Sequence, residues 1–148
     1  MAYKNFEGYS DPTAGQAMSK VMREYRARQK ETWNRRYEIR NRPRVYVASR
    51  YAGDVERNVA AAVRCCQFAI LRGCMPIASH LLYPQILQDN IPEERELGTQ
   101  FGLALLALCD EVWIFTDGGG LSPGMEAEEH EAKRLDKPVR YFDLEVTL

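Results

Sequence analysis

Short runs rich in β-branched and aromatic residues alternate with longer helical segments from residue 44 onward, and this alternation constrains the fold more than any other feature. The β-rich runs are residues 44–48, 75–78, 111–115 and 138–142. Strands that alternate with helices of ten or more residues form parallel sheets through right-handed crossovers. The sequence therefore predicts an α/β fold. We expect a three-layer, doubly wound (Rossmann-like or flavodoxin-like) parallel sheet of four to five strands.

A helical extension precedes this domain. Asp11-Pro12-Thr13 is a helix-start sequence, and the stretch from there to about Arg40 contains no proline and few β-branched residues. The helix should end at Asn41-Arg42-Pro43. We therefore predict an N-terminal helical extension over residues 1–42 and the α/β domain over residues 43–148.

The net charge of −1 conceals an asymmetry between the two parts of the chain. Residues 1–44 carry 11 Lys and Arg against 5 Asp and Glu, whereas the remainder carries 9 against 16. Such a split is found in nucleic-acid-binding arms and also in helices that pack on an acidic domain or on a neighbouring subunit. Glu24, Glu31 and Glu38 interrupt the basic run at spacings that suit intrahelical ion pairs. We therefore favour packing and expect no nucleic-acid partner.

We expect a soluble, cytoplasmic protein. It contains neither a long apolar run nor a secretory leader, so we expect no membrane association. Its four cysteines match neither a paired Cys-x-x-Cys site nor a disulfide framework, which indicates reduced core residues. His80 and His130 have no second histidine or cysteine at ligand spacing. We expect no metal and no cofactor.

Helical periodicity separates one glutamate from its acidic neighbours on the helix that begins near Pro123. Met125, Glu128 and Ala132 share its apolar face, and Glu128 should therefore point toward the sheet. Burying an unpartnered charge is costly, so an inward glutamate either has a structural partner, such as Arg50 or Arg95, or serves a function. Both interpretations are open at this point.

The glycine-rich segment before this helix, DGGGLSPG at residues 117–124, is compatible with a ligand site. It is neither a Walker motif nor a G-x-G-x-x-G motif in register. Its glycines indicate either close approach of the backbone to a ligand or a flexible turn. Ser122 and Pro123 suit the cap and first position of a helix, and the amides of residues 124–126 could bind a phosphate or sugar oxygen.

Three stretches of the chain have the pattern of a known family. They read VYVASRYAGDVERNVAAA (45–62), PIASHLLYPQIL (76–87) and CDEVWIFTDGGGLSPGMEAEEHEAKRLDKPVRYF (109–142). Together they resemble the nucleoside 2-deoxyribosyltransferase-like superfamily, and most closely its small bacterial and phage branch. The resemblance covers about residues 44–143.

Two motifs of that family can be placed on this chain. Its opening Y-x-A-G-P corresponds to residues 46–49, and its D-x-G-T-x-x-E-x-x-x-A corresponds to residues 122–132, with the nucleophile at Glu128. The resemblance implies that this carboxylate attacks the anomeric carbon of a 2-deoxynucleoside through an oxocarbenium-like state. An acid must protonate the departing base, and Asp110 resembles the family's upstream aspartate.

Three positions differ from the transferase pattern. Ser122 replaces an aspartate, Met125 replaces a threonine, and Arg50 replaces a proline. Serine cannot act as a carboxylic acid. Arg50 could contact a phosphate, which favours a nucleotide over a nucleoside as the ligand.

Most of the expected substrate contacts lie at the carboxyl ends of the strands and in the glycine-rich segment, because open α/β sheets bind their ligands there. Tyr46 and Asn58 are included because they would support Glu128 in the enzyme that the resemblance suggests. The expected contacts are Tyr46, Ala48, Ser49, Arg50, Tyr51, Asn58, His80, Asp117, Gly119, Gly120, Ser122, Gly124 and Met125.

Two functions are compatible with these residues. The first is an enzyme of nucleoside or nucleotide N-glycosidic bonds, which transfers or hydrolyses through Glu128. The alternative is a non-catalytic protein that binds a nucleotide or a nucleotide-derived signal at the same site. We expect a homo-oligomer, a dimer or larger, because the transferase relatives complete their sites across subunits and the N-terminal helix carries an apolar stripe.

Overall fold

The computed structural model of the protein describes Lys4, Gly8 and residues 12–148. The chain divides into two compact units, Met1–Asn41 and Arg42–Leu148. Asp11, part of the predicted helix start, lies outside the described residues. Among the described residues, no helix has the length and apolar character needed to cross a membrane.

The first unit contains one long helix, α1, from Pro12 to Arg40. A proline is well placed at the start of a helix, because the first amides have no intrahelical acceptor. The predicted helix, which reaches about Arg40, therefore forms.

The second unit is built on a four-stranded parallel sheet with the order β2-β1-β3-β4. Its strands are β1 (Arg44–Ala48), β2 (Met75–Ile77), β3 (Glu111–Thr116) and β4 (Val139–Asp143). The chain passes from β1 to β2 on one side and then crosses to β3 on the other. The strand order therefore reverses between β1 and β3, as it does in doubly wound folds.

Helices cover both faces of the sheet and complete the predicted three-layer fold. They are α2 (Val55–Leu71), α3 (Pro92–Ala107) and α4 (Pro123–Arg134), with a short α5 (Leu144–Thr147) and two 3₁₀ turns, Ser79–Leu81 and Tyr83–Gln85. Alternate residues of β1 face opposite layers, because successive side chains of a strand point to opposite faces. Tyr46 joins the core with Leu106 of α3 and Met125 of α4, whereas Val47 joins the core with Cys65 of α2.

The four cysteines are free, and Cys65, Cys74 and Cys109 are buried. Gly73, which follows the end of α2, has a φ of +77°, a conformation that residues other than glycine rarely adopt. The helix therefore stops there, and the chain turns directly into β2.

Candidate functional site

A cavity of about 440 Å³ lies at the carboxyl edge of the sheet, beside the point where the strand order reverses. The loop after β1, the 3₁₀ turns after β2, α3 and the start of α4 all contribute to it. Its lining includes Ser49, Tyr51, His80, Tyr83, Asp89, Glu94, Arg95, Gly98, Gly102, Ser122, Gly124, Met125 and Glu128. The volume falls within the range of roughly 300–1,000 Å³ that small-molecule sites occupy.

Glu128 lines this cavity from α4 and is partly buried. Its Oε1 accepts a hydrogen bond of 2.7 Å from the hydroxyl of Tyr46, which is fully buried in β1. Burial raises the pKa of Glu128 from its usual 4.5 to about 7, although the hydrogen bond from Tyr46 lowers it in part. The carboxyl group is therefore close to half ionised at neutral pH.

The partner of Glu128 is thus a tyrosine, and neither arginine considered from the sequence binds it. Arg50 pairs with Asp117, with 3.5 Å between Nε and Oδ2. Arg95 binds Asp89 through Nε at 3.2 Å and through Nη2 at 3.0 Å. The carboxylate of Glu128 therefore faces the cavity with a neutral hydrogen-bond donor beside it.

Tyr46 has a second polar contact. Its hydroxyl lies 2.6 Å from the Oγ of Ser79, a buried residue at the start of the first 3₁₀ turn. Burial, and then the nearby Glu128, raise the pKa of Tyr46 well above its ordinary value. The phenol therefore keeps its proton throughout the physiological range and acts as a hydrogen-bond donor.

A second hydrogen-bonded pair faces the same cavity. The Oγ of Ser49, directly after β1, lies 2.8 Å from the Nε2 of His80. Burial lowers the pKa of His80 to about 4, so the imidazole is neutral near pH 7. The pair can exchange hydrogen bonds with a ligand but supplies no charge.

The glycine-rich segment is tied to the loop after β1 by Arg50. In addition to the ion pair with Asp117, its Nη2 donates to the carbonyl oxygen of Gly120 at 3.4 Å. The amide of Gly119 in turn donates to Asp117 Oδ1 at 3.1 Å, and Gly118 and Gly120 have positive φ values. Arg50, Asp117 and Gly120 line a second recess of only about 10 Å³.

Two further predicted contact residues have local partners. The Nδ2 of Asn58 donates to the carbonyl oxygens of Tyr51 and Ala52 at 3.0 and 2.9 Å, which fixes the loop after β1. The Oγ of Ser122 accepts from the amide of Met125 at 3.3 Å and caps α4, as its position before Pro123 predicts. Ala48 is fully buried at the end of β1.

Asp110, which the resemblance suggested as the acid, does not join this group. It precedes the first residue of β3, and its Oδ2 accepts from the amide of Arg44 at 2.7 Å. Arg44 is the first residue of β1, so this contact lies at the amino edge of the sheet. A parallel sheet separates its amino edge from its carboxyl edge by the length of the strands, and Asp110 is therefore remote from the cavity.

The sequence-based set lacked several residues of the lining, among them Tyr83, Asp89, Glu94, Arg95 and Gly98, and two residues that pack around the Tyr46 hydroxyl, Ser79 and Gly102. Ser79 adjoins the predicted contact His80, and Gly102 lies inside α3. A Cβ atom added at Gly102 would lie 3.0 Å from Ser79 Oγ and 3.4 Å from the hydroxyl of Tyr46. A glycine inside a helix indicates close approach of another group, and this pattern could have identified the position.

Within the described part of the chain, no group of three or more His, Cys, Asp or Glu side chains is placed to hold a metal ion. The polar part of the lining includes hydroxyl groups, the neutral imidazole of His80, the carboxyl groups of Glu128 and Glu94, and the Asp89–Arg95 ion pair.

The fold and site define a small α/β protein with a partly buried glutamate at the carboxyl edge of a doubly wound sheet. Residues 43–142 match the family described as "Domain of unknown function (DUF7768)", and the chain belongs to that family. No curated protein matches the sequence.

Among solved structures, the chain is similar to the one titled as a 2-deoxyribosyltransferase from the psychrotolerant bacterium Bacillus psychrosaccharolyticus. The two are 16% identical, with a TM-score of 0.58 over 68% of this chain and 72% of that chain. At this level of identity the similarity concerns the fold.

Proposed function

We propose that the protein is an enzyme that cleaves the N-glycosidic bond of a nucleoside, with Glu128 as the nucleophile. The observation that carries the proposal is a partly buried carboxyl group that lines a cavity of about 440 Å³ and is held at 2.7 Å by a buried tyrosine. The fold that the chain shares with a 2-deoxyribosyltransferase supports the same chemistry.

In this mechanism the ionised Glu128 attacks the anomeric carbon of the sugar. A bond forms between a carboxylate oxygen and that carbon while the bond to the base breaks, and the base leaves with the electron pair. Water or a second base then takes the sugar from Glu128. Tyr46 donates to Oε1, and among the described residues no hydrogen bond engages Oε2. We therefore propose Oε2 as the attacking atom.

The departing base also needs a proton. Asp110 is remote from the cavity, and the hydroxyl oxygen of Ser122 accepts the amide of Met125. The other carboxyl groups in the described lining are Asp89, which binds Arg95, and Glu94, which accepts from the amide of Gln88. We therefore propose that the proton comes from solvent. Without a dedicated acid, the cleavage rate should rise steeply with the acidity of the departing base.

The charges of the cavity favour a nucleoside over a nucleotide. In the described chain, Arg95 is the only arginine or lysine that lines the cavity, and Asp89 binds its guanidinium group. Arg50, which the sequence suggested for a phosphate, pairs with Asp117 at the smaller recess. A phosphate would enter beside Glu128 without a free cation to balance it.

The test is a panel of 2-deoxynucleosides and their 5′-monophosphates, with free base measured by chromatography. The wild-type chain should release base from nucleosides, and Glu128→Ala should release none. Glu129→Gln is the matched control, because Glu129 is the next residue of α4 and binds Tyr141 outside the cavity. If nucleosides raise the melting temperature while no base appears, the protein is a binding protein and the proposal of catalysis is wrong.

A further inference from the structure

Three side chains from three separate elements form a continuous hydrogen-bonded chain at the wall of the cavity, which Ser79 and Glu128 line. Ser79 Oγ lies 2.6 Å from the hydroxyl oxygen of Tyr46, and that hydroxyl lies 2.7 Å from Glu128 Oε1. Ser79 and Tyr46 are both buried, with 8% and 0% of their surface exposed. The Tyr46 hydroxyl is therefore shielded from water.

Counting protons fixes the direction of this chain when Glu128 is ionised. A carboxylate can only accept hydrogen bonds, so the single hydroxyl proton of Tyr46 must point to Oε1. The Tyr46 oxygen can then only accept from Ser79, and the Ser79 proton must point to Tyr46. The carboxylate therefore sets the direction of both hydrogen bonds, and Ser79 supplies the donor that this direction requires.

We propose that Ser79 is a positioning residue, whose hydroxyl donates to Tyr46 and thereby commits the Tyr46 proton to Glu128. A donor on the Tyr46 oxygen also polarises its O–H bond, because hydrogen bonds in a chain strengthen one another. Ser79 thus stabilises the ionised form of Glu128 without touching it.

Gly102 of α3 keeps the two hydroxyl groups together. An added Cβ would approach Ser79 Oγ to 3.0 Å, closer than an ordinary contact, and the Tyr46 hydroxyl to 3.4 Å, the lower limit of an ordinary contact. The absence of a side chain at Gly102 lets α3 cover the Ser79–Tyr46 hydrogen bond directly. The packing of α3 therefore holds Ser79 in the position that the hydrogen bond requires.

The other ionisable groups around these three hydrogen-bonded side chains do not offer Tyr46 an alternative partner. In the described chain, those that line the cavity besides Glu128 are Tyr51, Tyr83, His80, Asp89, Glu94 and Arg95, and Cys109 lies in the same core cluster as Tyr46. His80 binds Ser49, and Asp89 binds Arg95. Burial raises the pKa of Cys109 to about 11, which keeps its thiol neutral.

The test is a titration of Glu128 in the ligand-free protein, followed by the ¹³C resonance of its carboxyl carbon. Four proteins form a double-mutant cycle: wild type, Ser79→Ala, Tyr46→Phe and the double variant. Ser79→Ala should move the midpoint of Glu128 upward by roughly 0.5–1 pH unit, and Tyr46→Phe should move it further. In the Tyr46→Phe background, the serine substitution should not move the midpoint of Glu128 further, because the hydroxyl group that links Ser79 to the carboxylate is absent.

Thr116→Val is the control for removing a hydroxyl group at the end of a strand. Its Oγ1 contacts the carbonyl oxygen of Phe142 at 3.4 Å, and the midpoint of Glu128 should not move. If Ser79→Ala folds poorly, Ser79→Cys retains a similar volume with a weaker donor and should shift the midpoint in the same direction.

A midpoint that Ser79→Ala leaves unchanged would overturn the proposal. So would an equal shift with and without Tyr46, since it would assign Ser79 a packing role. The titration needs no substrate or turnover, so its outcome is independent of whether the protein cleaves nucleosides.

Discussion

Replacing Glu128 by glutamine should make the protein more stable, and by an amount that grows with pH. Burial raises the pKa of Glu128 from 4.5 to about 7 in the folded chain. Below pH 4.5 the carboxyl group is protonated in both folded and unfolded states, and ionisation contributes nothing. As the pH rises, the unfolded chain ionises first, and the folded state loses stability relative to it.

The size of the effect follows from the two pKa values. Each pH unit between them corresponds to about 1.4 kcal/mol, and the loss is nearly complete at pH 8. At pH 5 the folded state has lost only a small part of this stability. Glutamine stays neutral and can still accept from Tyr46, so the free energies of unfolding of variant and wild type should diverge by about 2–3 kcal/mol between pH 5 and pH 8.

The assay is urea unfolding from pH 5 to pH 8, followed by tryptophan fluorescence. Trp113 is buried in β3, whereas Trp33 is exposed on α1. Both chains should therefore carry Trp33→Phe, so that the fluorescence reports on the sheet. Glu129→Gln is the control, because the hydrogen bond from Tyr141 lowers the pKa of Glu129. Its stability difference from wild type should stay nearly constant across this range.

Parallel curves for Glu128→Gln and wild type between pH 5 and pH 8 would refute the reasoning. They would mean that Glu128 ionises in the folded chain as it does in the unfolded chain, and that its side chain is well hydrated. The raised pKa would then contribute nothing to the chemistry proposed for the site.

Three further predictions concern activity and packing. The rate of base release should rise with pH through about 7, because the nucleophile must be ionised, and Tyr46→Phe should move this rise to higher pH in a pH–rate profile. A fall in rate over the same range would contradict the role of Glu128 as an ionised nucleophile. Gly98→Ala should raise the free energy of unfolding by up to about 1 kcal/mol in urea titrations. Gly102→Ala should raise the free energy of unfolding by less than Gly98→Ala, or should lower it, because only the added Cβ at Gly102 would press on Ser79 and Tyr46. Asp110→Asn should leave kcat/KM unchanged in the base-release assay, because Asp110 binds Arg44 at the far edge of the sheet; a large loss of kcat/KM would contradict its placement.

The fold was predictable because local patterns specify most of it. Alternating β-rich and helical segments predicted a parallel sheet between two helical layers, and the four strands form where the sequence indicates. The order β2-β1-β3-β4 does not follow from these local patterns, since it depends on which crossover passes to which side. Burial on both faces of β1 and β3 is consistent with their central positions.

The position of Asp110 argues against the acid role that the resemblance implied, and the sequence already contained this information. Asp110 precedes a predicted strand, whereas the ligand site of a parallel sheet lies beyond the ends of its strands. The resemblance to a family suggested an acid at this position, and the topology placed it at the wrong edge. The contact with Arg44 gives Asp110 a structural role instead, joining the beginnings of β1 and β3.

Glu128 illustrates both the reach and the limit of periodicity. Its spacing from Met125 and Ala132 placed it on the inner face of α4, and the buried neighbours on that face agree with this placement. Its partners, however, lie 82 residues away at Tyr46 and, beyond that, at Ser79. No spacing rule links residues on different elements, because their proximity depends on strand order and helix packing together. The periodicity of one helix can predict a buried carboxyl group. Whether its neighbour is an arginine, an aspartate or a tyrosine depends on how the strands and helices of the whole sheet are arranged. In this protein the neighbour of Glu128 is a tyrosine, a neutral donor, and the pKa of Glu128 stays near 7. A cation in the same place would lower that pKa.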